Sequence, residues 1–147
     1  MSNPGKGLRA NALAALVMLL LEIGFGVGVS LSAPLPIRDA GKSLFPAFAQ
    51  AVAQGPLVLT IHALLGTLLI ISGIVALVRA IKIHQARSSV LAGLGLLAIL
   101  VAWVSGAKFV GSQNDGASLS MTIAAVVAVF SYALILFLKP PTNEPME

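Results

Sequence analysis

The sequence predicts an all-α integral membrane protein, an up-down bundle of four transmembrane helices with a short amphipathic helix in the first outer loop. Three observations predict it. Of the 147 residues, 58% are hydrophobic and only 10% charged, where soluble domains average roughly 45–50% and 25%. Four stretches approach or reach the roughly 20 apolar residues that carry a helix across about 30 Å of hydrocarbon. The nine Lys and Arg are scattered singly rather than gathered on one basic face, which sets nucleic acid aside and suits membrane topology.

The first span covers residues 12–31 and carries Glu22 near its middle. A carboxylate within it, an apolar core longer than the usual 7–15 residues of a signal peptide, and Pro34 where cleavage would fall all favour a retained span. Spans two, three and four, at 57–78, 90–110 and 119–138, are nearly free of charge and rich in Leu, Ile, Val and Ala. Short connections at 79–89 and 111–118 make antiparallel neighbours. The first connection, 32–56, is longer, and within it Leu44, Phe45, Phe48 and Val52 recur at helical spacing. That pattern predicts a helix over 44–53 lying at the outer membrane surface. In the segment after Phe109, Asn114 and Gly116 supply turn residues and Ser118 a helix cap. Pro140 and Pro141 end the last helix. Residues 1–139 form one domain, and 140–147 form a polar tail expected to be disordered.

Orientation follows from the basic residues. With the N-terminus inside, Lys6, Arg9, Arg79, Lys82, Arg87 and Lys139 fall on the cytoplasmic side and Arg38, Lys42 and Lys108 outside. The expectation is a multi-pass protein of the inner (plasma) membrane with both termini cytoplasmic.

The absence of cysteine excludes disulfides, thiolate metal sites and a cysteine nucleophile. No catalytic motif occurs, and whether the chain is an enzyme stays open. Chemistry then falls to the few polar groups inside the spans, because ionisable side chains in hydrocarbon are costly and face a partner or a cavity. Glu22 precedes Gly24, Gly26 and Gly28, and the Gly24–x–x–x–Gly28 pair lets that face approach another helix, another copy of the chain, a larger membrane complex or a flat ligand. His62 lies five residues inside span two, followed one turn later by Gly66. Met121 enters span four at a similar depth, and helices two and four face each other across a four-helix core. That is the geometry of an axial His and Met pair on haem iron. Lys108 extends toward the headgroups, where it could meet a ligand's carboxylate.

These residues support three functional classes. In the first, a small ligand, with haem b or another tetrapyrrole as the leading candidate, binds in the outer half of the bundle at His62 and Met121. Gly24, Gly28, Gly66 and Lys108 surround it. The second is a transporter, channel subunit or small-molecule binder whose polar pocket is lined by Glu22, His62, Ser105, Lys108 and Thr122. The third is a non-catalytic accessory subunit docking through the Gly24 and Gly28 face. The chain is similar to four-helix b-type membrane cytochromes in one feature, a helix-borne His in an apolar bundle; those proteins commonly use paired histidines, and here one lies in a span.

Overall fold

A computed structural model of the chain describes residues 4–32, 43–112 and 115–138. It is all-α, as the sequence predicts: α1 (Pro4–Ser32), α2 (Leu44–Gln54), α3 (Leu57–Lys82), α4 (Ala86–Ser112) and α5 (Asp115–Phe137). Four of these, all but α2, are long and apolar enough to cross a membrane, so the chain is a multi-pass membrane protein. Arg38, Lys42, Lys139 and the 140–147 tail lie outside the described residues.

The helices outrun the apolar stretches. α1 has 29 residues, about 43 Å at 1.5 Å per residue, and starts with Pro4 at its first position, where a missing N–H costs nothing. The expected 79–89 connection shrinks to three residues between Lys82 and Ala86. His84 turns the chain there with φ 56°, in the left-handed region that helix C-termini use. The backbone N–H groups of Ile83 and His84 donate to the Ala80 and Ile81 carbonyls. Ser118 does not cap α5 but lies inside it. The helix begins at Asp115, whose negative charge suits the positive end of the helix dipole.

Each long helix runs antiparallel to the next, and the four close into a ring in which α1 touches α3 and α5, and α4 touches α3 and α5. α3 and α5 therefore stand on a diagonal. α2 rests on α3 and α4, tied to α3 by the Thr60 hydroxyl, which donates to the Val52 carbonyl at 3.2 Å.

Small residues bring the helices together. Ala12, Ala15, Ala76, Ala80, Ala92 and Ala128 are all fully buried, while Leu20, Leu68, Leu97 and Phe130 are more than half exposed. This inside-out distribution is expected where the solvent is lipid and association depends on close backbone approach. The largest buried side chain, Tyr132, sits over Gly73 and Gly95; a Cβ at Gly95 would stand 2.8 Å from the Tyr132 ring. At the end away from α2, the Arg9 guanidinium donates to the Leu136 carbonyl and the Arg79 guanidinium to the Gly7 carbonyl, each at 2.8 Å. Leu136 offers one of the last four carbonyls of α5, which lack an intrahelical partner, and the two bonds tie α1 to both of its neighbours. Asn11 adds a polar link, its amide donating to the Ser72 carbonyl and hydroxyl at 3.1 Å.

Candidate functional site

Toward the α2 end, α1 and α3 meet through a reciprocal arrangement. Glu22 of α1 lies against Gly66 of α3, where a Cβ would stand 3.1 Å from the carboxylate Oε1. His62 of α3 lies against Gly26 of α1, where a Cβ would stand 3.3 Å from the ring Cε1. Each polar residue precedes a glycine by four positions, one helical turn. Antiparallel packing then puts each side chain into the other helix's notch. The sequence reading singled out Glu22, His62 and Gly66, but it gave Gly26 no partner. The signal was available in the matching Glu–x–x–x–Gly and His–x–x–x–Gly spacings, which become meaningful once the two helices are known to be neighbours.

The notches bring the two titratable groups together. Glu22 Oε1 stands 3.1 Å from His62 Nδ1, with side chains 17% and 18% exposed respectively. The approach is close without meeting hydrogen-bond angles, since Nδ1 is enclosed and unbonded. Glu22 Oε2 is likewise enclosed with no hydrogen-bond partner among the described residues. The His62 Nε2, on the opposite flank of the ring, makes no hydrogen bond to a described residue.

Trp103 completes the site from α4. Its Cδ1 lies 3.5 Å from where a Gly66 Cβ would stand. Its indole N–H makes a long contact, 3.4 Å, to the Thr67 hydroxyl, which in turn donates to the Ala63 carbonyl at 3.0 Å. Phe48 of α2 covers the indole with ring centroids 4.9 Å apart and planes at 47°. The amphipathic helix thus reaches the site through one aromatic pair.

The other expected residues lie elsewhere. Met121 places its sulfur 3.4 Å from where a Cβ of Gly106 on α4 would stand. Ser105 is buried and bonds the Ser120 hydroxyl at 3.1 Å, linking α4 to α5. Thr122 is exposed and bonds the Ser118 carbonyl of its own helix. Lys108 is exposed on α4. Gly28 receives Val58 at 3.4 Å, and only Gly24 of that pair faces open space. Gly28 and Gly66, expected to make room for a flat macrocycle, instead hold Val58 and Glu22 with Trp103.

Among the described residues no three His, Asp or Glu side chains gather at one place. The chemistry on offer is therefore one carboxylate, one imidazole and one indole, partly enclosed between three helices. No family model, curated protein or solved structure matches the chain.

Proposed function

We propose that this chain is a small-molecule-binding membrane protein whose site is the Glu22–His62 couple between α1 and α3, in the outer half of the bundle. The observation that carries the reading is Glu22 Oε2, enclosed without a donor among the described residues and beside an imidazole 3.1 Å from Oε1. An unmet acceptor inside a protein is costly, and it persists where a ligand, water or proton meets it. The basic residues of the sequence support a plasma-membrane protein with both termini cytoplasmic, which puts the α2 end and this site on the outer side.

The test is a binding screen with the purified full-length protein in detergent, using hemin, amines, carboxylates and neutral alcohols. At least one compound is expected to raise the unfolding temperature, and that rise should be lost or altered when Glu22→Gln or His62→Ala is introduced. A response that neither substitution changes would move the binding elsewhere.

Haem is the second reading, and one observation favours it. A ligating histidine commonly keeps a carboxylate on its other ring nitrogen, and Glu22 stands 3.1 Å from Nδ1. A tetrapyrrole brings four ligands of its own, so a single imidazole suffices. This reading requires the side chains in the glycine notches to move, and Met121 to leave Gly106 if it is the opposite ligand. A Soret band on adding hemin, absent in His62→Ala, is the expected result; a featureless spectrum sets haem aside.

A further inference from the structure

The two oxygens of the Glu22 carboxylate have different surroundings. Oε1 faces His62 Nδ1 at 3.1 Å, whereas Oε2 is enclosed and accepts no hydrogen bond among the described residues. A ligand that relieves this asymmetry brings N–H donors, and one that also brings positive charge gains a charge-assisted bond. The adjoining wall is aromatic. Glu22 Oε1 and Trp103 Cδ1 both lie within 4 Å of the point where a Gly66 Cβ would stand, so the missing side chain lets a carboxylate and an indole share one position. Phe48 backs the indole from α2. A carboxylate beside an aromatic ring is a pairing that receives an ammonium group. Gly24, two residues on, lies round the far side of α1 with Leu20, Leu21 and Val27, on the exposed apolar face of the helix. Glu22 and His62 both lie within helices long and apolar enough to cross a membrane, so a ligand that reaches them comes through apolar surroundings.

We propose that the Glu22 side of this site binds the primary ammonium group of a lipophilic amine, with its N–H donors on Oε2 and its charge beside the Trp103 indole. The proposal rests on the reading of the Glu22–His62 couple as a ligand site and names the class of ligand. His62 acts as the internal competitor: in its protonated form it neutralises the same carboxylate, so removing the imidazole leaves that carboxylate to the amine. An anionic ligand is repelled by Glu22, and a neutral one lacks the charge attraction.

The chain's single tryptophan is Trp103, so the site reports on itself. Full-length protein in lipid nanodiscs is titrated with 2-phenylethylamine, its trimethylammonium analogue and 2-phenylethanol while indole emission is followed. The amine is expected to give a saturable change. The trimethylammonium analogue, which keeps the charge but lacks N–H donors, should bind about tenfold more weakly, as loss of a charged hydrogen bond implies. The alcohol should bind more weakly still. Glu22→Gln should weaken the amine by at least about tenfold, and His62→Gln, which removes the competing imidazole, should tighten it. If Glu22→Gln does not fold, Trp103→Leu followed by calorimetry provides the second variant, with an expected loss of about three- to fivefold. Equal affinity for alcohol and amine, or full affinity in both Glu22→Gln and Trp103→Leu, overturns the ammonium site. If hemin or a carboxylate binds in a Glu22- or His62-dependent way and amines do not, this proposal falls and the ligand-site reading stands. If no compound's binding depends on either residue, both fall.

Discussion

Two regions of the bundle seat a polar side chain in glycine notches, and they do so to different ends. Around Tyr132, where α3, α4 and α5 meet, the phenol ring fills the space left by Gly73 and Gly95 and is fully buried. Its hydroxyl is enclosed without a partner among the described residues. Around Glu22 and His62, where α1 meets α3, the notches at Gly66 and Gly26 hold two titratable groups that stay partly exposed and stand 3.1 Å apart. The first region is a knob in a hole, surrounded by Ala128, Ser131 and Ile135, all buried. The second joins a base to an acid at a helix seam. Glycine at a helix interface therefore does not by itself mark a site; what distinguishes the regions is whether the group filling the notch can exchange protons or accept a ligand.

The largest expected effect is on the packing side. Gly95→Ala puts a methyl 2.8 Å from the Tyr132 ring, and an aromatic ring between three helices has little room to yield. A loss of about 1–3 kcal/mol is expected from overpacking, read as a lowered midpoint of thermal unfolding in detergent. Gly95→Ala that unfolds like the parent would show that the tyrosine is not tightly held.

Asn11→Ala removes the bonds to Ser72 that tie α1 to α3. Interhelical hydrogen bonds in membranes are worth about 0.6 kcal/mol on average and up to about 1.7, so a smaller loss of that order is expected in the same assay. Gly66→Ala brings a methyl to 3.1 Å from the Glu22 carboxylate, which can swing by a few tenths of an ångström. Its expected signature is a change in ligand response with a stability loss below that of Gly95→Ala. If the order is reversed, the Glu22–His62 seam is the rigid part of the bundle.

Tyr132→Phe sharpens the contrast most finely. Removing an unbonded hydroxyl keeps the ring and deletes an unmet donor, so stability should stay level or rise by up to about 1 kcal/mol. A clear loss would reveal a partner for the hydroxyl. The corresponding removal of charge at Glu22→Gln should instead be felt in ligand binding.

Much of the fold was legible because the bilayer imposes a length and a polarity that sequence displays directly. Residues 57–78, 90–110 and 119–138 are apolar runs whose helices could be placed to within a few residues, and Leu44, Phe45, Phe48 and Val52 announce α2 by their spacing. The helix ends were less legible, since α3 continues to Lys82 and α5 begins at Asp115. Polar residues at a membrane surface fit helix and turn equally well.

The candidate site divides along the same line. Sequence alone marks Glu22, His62 and Lys108 as the ionisable groups inside the spans, because charge in hydrocarbon needs a reason. It could not assign partners, since each side chain on a helix can face any neighbour and the choice depends on rotation about the helix axis. Tertiary structure turned His62 toward Gly26 and Glu22 of α1, set Met121 against Gly106 of α4, and brought Trp103 in beside Gly66. The physical reason is close packing: where glycine removes a side chain the opposing helix supplies one, and which one arrives is fixed by the register of two whole helices.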